Sequence, residues 1–192
     1  ASDMRWYEVD PCYVFHPCNA FDLPDGSVVM DVVVHDRMFD RSRTGPELDA
    51  GARMERWTMP VQGTAVKRQV ISTVPQEFPR LDERRVGQSY RWAYAVGFGP
   101  ETSAGQPLLR HDLAQGTTQV RNFAPHTVLG EFVFVPRSEH GAEDDGWLMG
   151  FVHHVQSGQT ELHVINADDF MGPAQAVVHI PTRIPLGFHG NW

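Results

Sequence analysis

Apolar and polar positions alternate along this chain in short runs, and the runs are rich in β-branched and aromatic residues. That is the period of a strand, not of a helix. Val28–Val34 (VVMDVVV) follows the turn pair Asp25-Gly26. Residues 65–74 alternate loosely, and 90–98 (YRWAYAVGF) is aromatic and β-branched. Residues 108–113 and 117–123 flank Gln115-Gly116 as a hairpin. Further strands are expected at 132–135, at 147–155 after Asp145-Gly146, at 162–166 after Ser157-Gly158, and at Ala176–Ile180. The only helical turn expected is at 47–50, inside the loop-like stretch 37–51. Short strands punctuated by Gly, Pro and Asp predict an all-β propeller, barrel or sandwich, and there is no exact internal repeat.

Composition narrows the class. The chain has 192 residues, 41% hydrophobic and 21% charged, the balance of an ordinary globular protein. No apolar run approaches the ~20 residues of a spanning helix. The formal charge is −8, Lys67 is the sole lysine, and no basic cluster occurs, so nucleic acid is not an expected partner. Cys12 and Cys18 lack zinc-finger spacing and read as reduced thiols, so a location in the cytoplasm, free or peripheral to a membrane, is expected. The chain opens on Ala1, so a natural start upstream is expected.

Familiar catalytic signatures are missing. There is no G-x-S-x-G, no H-E-x-x-H and no P-loop, and GFGPET from Gly97 lacks the third glycine of a dinucleotide fingerprint. Ten histidines are the unusual feature. His153 and His154 are adjacent on a strand and must point to opposite faces. His111, His163 and His179 fall inside alternating strands and read as packing or surface positions, while His35, His126 and His140 show no carboxylate pattern nearby. His16 (YVFHPCNAFD) and His189 (RIPLGFHGNW) differ, because proline and glycine make their backbone irregular and free the side chain to aim off a strand.

Four segments carry a resemblance: FHPCNAFD (residues 15–22), QEFPRLDERRVGQSYRWAY (76–94), GEFVFVPR with EDDGWLMGFV (130–152), and ELHVINADDF through VVHIPTRIPLGFHGNW (161–192). In this order they resemble the C-terminal part of the carotenoid cleavage oxygenases, a family that includes the retinal pigment epithelium protein and lignostilbene dioxygenases. The resemblance implies that residues 1–192 are part of a seven-bladed β-propeller whose axis holds Fe(2+) on four histidines, with three glutamates behind them.

Residue by residue, His16 matches the third iron histidine and His189 the fourth, and Glu77 and Glu131 match two of the glutamates. The expected pairs are Glu77 with His16 and Glu131 with His189, each carboxylate accepting Nδ1–H and aiming Nε2 at the metal. Phe15, Trp92 and Phe188 are candidates to line a tunnel for an apolar polyene or stilbene, which O₂ would cleave into two carbonyl products. The other two histidines, the third glutamate and a membrane-facing entrance are implied to lie in an N-terminal part that this sequence does not contain. That part, or self-association, is expected to cover the exposed blade faces. Two alternatives stay open: a non-oxidative isomerase or hydrolase on the same iron, and a catalytically silent binding propeller.

Overall fold

The structure is a computed structural model and describes residues 4–41, 43, 51–98 and 104–192. The helical turn expected at 47–50 lies outside the described residues. Those residues form thirteen strands and one short 3₁₀ turn at Glu83–Arg85.

Three antiparallel meanders account for the strands. The first blade is β1 (Pro17–Asp22), β2 (Val28–Val34), β3 (Arg53–Met59) and β4 (Lys67–Ser72), in that order. The second is β5 (Gln76–Arg80), β6 (Trp92–Gly97), β7 (Leu108–Asp112) and β8 (Thr117–Arg121). The third is β10 (Val133–Pro136), β11 (Gly146–His154), β12 (Thr160–Asn166) and β13 (Ala176–Ile180), with β9 (Thr127–Leu129) pairing β11 beyond the end of β10. Hairpin chemistry fixes the registers. Gly26, Gly116 and Gly158 adopt positive φ where the sequence predicts tight turns.

Adjacent blades bury their faces on one another. Cys18, Phe21, Val29 and Met54 of the first blade pack with Leu81, Tyr90 and Ala93 of the second. Tyr94, Val96 and Leu108 of the second pack with Phe132, Phe134, Leu148, Val152 and Ile165 of the third. The Tyr94 and Phe134 rings stack 6.0 Å apart at 7° across this seam. Complete burial of each large apolar side chain here contributes ~1.5–3 kcal/mol. Asp31 on β2 is fully buried, where it accepts hydrogen bonds from Nε and Nη2 of Arg56 at 2.8 and 2.7 Å and from the Tyr90 hydroxyl at 2.7 Å. A polar tie therefore crosses the first seam beside the apolar one.

The outward faces are partly dressed by the chain itself. Cys12 and Val14 pack on Val32, Val34 and Trp57 of the first blade. At the other end, the segment Ile184 to Trp192 lies over the third blade beside Met149, Phe151 and Leu162. The all-β, partial-propeller expectation is met, but β1, β3, β5 and β9 are strands that the sequence pattern did not announce.

Candidate metal centre

The leading strand of each blade is interrupted where a candidate side chain sits. His16 immediately precedes β1, whose register with β2 shifts between Pro17 and Asn19. Glu77 opens the shift of β5 against β6, with Phe78 at φ 54° and Pro79 unable to donate to the ladder. Glu131 lies in the gap between β9 and β10, which pair with successive halves of β11. A regular strand would point alternate residues into the two blade seams. These breaks release His16, Glu77 and Glu131 from that alternation and turn them toward one place.

The sequence-expected pairs form. Glu77 Oε2 accepts from His16 Nδ1 at 2.8 Å, and Glu131 Oε1 lies 3.3 Å from His189 Nδ1. With Nδ1–H facing a carboxylate in each ring, the lone pair belongs to Nε2. The two Nε2 atoms face each other 3.2 Å apart. Two lone pairs at that distance repel unless a cation or a proton lies between them. Two imidazole–metal bonds of ~2.1 Å meeting at about 100° span this same separation, so the donor pair fits a transition-metal ion. Among the described residues, no group of three or more His, Cys, Asp and Glu side chains makes a complete metal site. His16 is about a quarter exposed and His189 more than half, so the pair is open to solvent.

The two carboxylates are held differently. Glu131 is ion-paired with Arg80, whose Nε lies 2.9 Å from Oε1, and accepts the Gly190 amide at 2.8 Å. Arg80 also donates to the Gly190 carbonyl at 2.6 Å, so one guanidinium clamps both Glu131 and the segment carrying His189. Glu77 accepts the Phe78 amide at 3.2 Å and lies 2.5 Å, through Oε1, from Nε2 of the buried His35.

The three aromatic candidates separate. Phe15 lies against His16 and meets His35 edge to face at 5.4 Å. Phe188 lines a groove of about 430 Å³ with Glu131, Met149, Phe151, His189 and Trp192. Trp92 does not join them. Its ring is held under Arg110, whose guanidinium carbon lies 3.6 Å from the ring centroid, with Arg91 at 4.4 Å. It sits four residues along β6 from Val96, the partner of Glu77, or roughly 13 Å away. Phe78 takes the place beside the imidazole pair instead, 5.4 Å from His16 and 6.0 Å from His189.

Sequence reasoning missed His35, Phe78 and Arg80. His35 continues the alternation of β2 two residues after the fully buried Val33, a signal for burial but not for its partner. Arg80 stands three residues after Glu77 in the same EFPR motif, and only the fold brings it to Glu131. His163 is packed and His179 lies at the surface, as expected, and with His154 they surround Glu161 at 2.9, 2.9 and 3.0 Å. His111 is a packed core residue, as expected, and bonds Gln76 and Thr118. Both cysteines are free, and burial pushes the Cys18 thiol up to about 12, too high for a thiolate nucleophile.

Propeller blades whose broken leading strands bring together an imidazole pair backed by carboxylates define a class of β-propeller with a candidate metal site. The chain belongs to the retinal pigment epithelial membrane protein family, whose profile matches residues 1–192. It is 40% identical over 199 residues to the carotenoid cleavage oxygenase of Mycobacterium tuberculosis, covering 99% of this chain and 39% of that protein. It is 31% identical over 208 residues to resveratrol cleavage oxygenase 1 of Botryotinia fuckeliana, covering 99% and 37%. Among solved structures it resembles the cobalt-substituted apocarotenoid oxygenase of Synechocystis, with TM-score 0.85 and 30% identity over 97% of this chain and 40% of that one. The chain spans about two fifths of the length of the relatives it matches.

Proposed function

We propose that this chain supplies two histidine ligands, His16 and His189, and two supporting carboxylates, Glu77 and Glu131, to the Fe(2+) centre of an oxygenase. The reaction is cleavage of one conjugated carbon–carbon double bond of an apocarotenoid or stilbene by O₂, with each alkene carbon ending as a carbonyl carbon bearing one oxygen atom. The observation that carries this reading is the 3.2 Å approach of the two Nε2 atoms, each ring being backed through Nδ1 by its own carboxylate. The names of the relatives, which act on carotenoids and resveratrol, and the cobalt form of one of them support the substrate class and a divalent metal.

Iron bound at the pair would supply the activation of O₂. The chain's own residues do the rest. Glu77 and Glu131 hold a proton on each Nδ1 and so keep each Nε2 free to donate its lone pair. Phe78 places an apolar ring beside both imidazoles on their protein side. The groove beside His189, lined by Met149, Phe151 and Phe188, offers apolar contact to a flat polyene or stilbene.

Metal analysis and product analysis of the full-length protein test the reading together. Stoichiometric iron, lost in His16→Ala and His189→Ala, with two carbonyl products from a stilbene or apocarotenoid, is the expected result. A full-length protein free of iron, or one that keeps its iron in both variants, overturns it.

A further inference from the structure

We propose that His35 is a positioning residue for the metal pair: it holds Oε1 of Glu77 so that Oε2 stays on His16, the part that Arg80 plays for Glu131. This rests on the function proposed above. Four observations carry it.

The first is the sharing of Glu77. Its two oxygens are divided between two imidazoles, with His16 Nδ1 on Oε2 at 2.8 Å and His35 Nε2 on Oε1 at 2.5 Å. The second is the tautomer. His35 is buried, and its Nδ1 finds no partner among the described residues. A proton there would leave a buried N–H unpaired, which costs ~1–3 kcal/mol. The geometry therefore places a proton on Nε2, and His35 donates to Glu77.

The third observation is how His35 is itself fixed. Its amide and carbonyl exchange 2.8 Å bonds with Tyr13, and its ring meets Phe15 edge to face. It is thereby tied to the segment that leads into His16. The fourth is the contrast between the carboxylates. Glu131 has a guanidinium and a backbone amide to hold it, whereas the described contacts of Glu77 are two imidazoles and the Phe78 amide. Glu77 sits at a bulge beside a residue of positive φ, where the backbone alone does not set its direction. Without the His35 donor, Oε1 is buried unpaired, and the carboxylate is free to rotate off His16.

Two substitutions separate holding from packing. His35→Gln keeps an N–H of similar reach and loses the ring, whereas His35→Phe keeps a ring against Phe15 and loses the donor. Full-length protein, stripped of metal, is titrated with Co(II), and the visible spectrum of the bound ion reports both affinity and ligand geometry. The expected result is a ~10–100-fold loss of cobalt affinity with an altered spectrum in His35→Phe, and wild-type binding within about threefold in His35→Gln. If His35→Phe does not fold, His35→Met supplies a flexible apolar side chain with no donor, and the same loss is expected. Wild-type affinity in the donor-less variant overturns the proposal, as does equal loss in both variants or greater loss in His35→Gln. No cobalt binding by the wild type itself would instead overturn the metal reading of His16 and His189.

Discussion

Arg80 reaches from the second blade to Glu131 in the third, with Nε 2.9 Å from the carboxylate, and donates to the Gly190 carbonyl at 2.6 Å. The segment bearing His189 is otherwise exposed, so this clamp decides where the second imidazole points. Arg80→Met keeps the aliphatic stem and removes the charge. Hydrogen exchange of the Gly190 amide is expected to speed up by at least about tenfold, because its acceptor Glu131 loses its fixed position. Unchanged protection would mean that the segment is held elsewhere.

Replacing Glu77 or Glu131 by Gln in the full-length protein should weaken iron binding by about 10–100-fold and leave the fold in place. The amide oxygen still accepts an imidazole proton but carries no charge. Metal titration with a parallel thermal melt checks this. Wild-type affinity in both variants would rule out the pairing of Glu77 with His16 and Glu131 with His189.

Asp31→Asn removes one charge from an ion pair whose carboxylate is fully buried and whose guanidinium is about a quarter exposed, and leaves Arg56 and Tyr90 facing a neutral amide. Breaking such a pair costs on the order of 3 kcal/mol. Urea unfolding should show a lower midpoint at unchanged slope, and a loss under about 1 kcal/mol would mean that water replaces the carboxylate.

His111 gives stability a pH dependence. Burial holds its pKa down to about 4, against ~6.5 in the unfolded chain. Between these values the unfolded chain binds the extra proton, so stability is complete above pH ~6.5 and declines as pH falls toward 4, by roughly 3 kcal/mol in all. His111→Gln should flatten that limb of the unfolding free energy measured against pH. An unchanged slope would mean that His111 is not the group that takes up the proton in this window. Burial raises the pKa of Glu161, but hydrogen bonds from His163 and His154 outweigh it and leave the pKa lowered, so its contribution is lost at more acidic pH.

The 192-residue chain on its own brings two imidazole nitrogens within 3.2 Å, and on the proposed reading each further ligand it lacks removes bond energy and selectivity for iron. It is expected to cleave no stilbene or apocarotenoid. Phe188 and Trp192 are 78% and 72% exposed beside an apolar groove, so sedimentation at micromolar concentration should show self-association. A clean monomer that turns over substrate would contradict both expectations.

Where the fold was legible in the sequence, one local rule sufficed. Val28–Val34 is β-branched and follows a turn pair, and it forms a strand paired on both sides. β1, β5 and β9 were illegible for the same reason that they matter. Pro17, the pair Phe78-Pro79 and Gly130 interrupt or border them, so they read as loops while holding the site. β3 was hidden by charge, since Glu55 is buried only because Arg53, Arg68 and Trp57 all bond it. His16 and His189 stood out by their irregular surroundings and by resemblance. Their approach, like the meeting of His35 with Glu77, is tertiary and leaves no local trace.

The separation of His16 and His189 by 173 residues sets an order of assembly. A ribosome adding ~5–20 residues per second makes His16 roughly 9–35 s before His189. Within that interval the strands of the first two blades have left the ribosome, and His16 can already find Glu77. The last histidine arrives as the closing jaw of a site whose other jaw is set. An ion could be gripped by both imidazoles only after His189 has emerged, and it would act as a clasp across a loop whose closure costs roughly 4–5 kcal/mol in its length-dependent part alone.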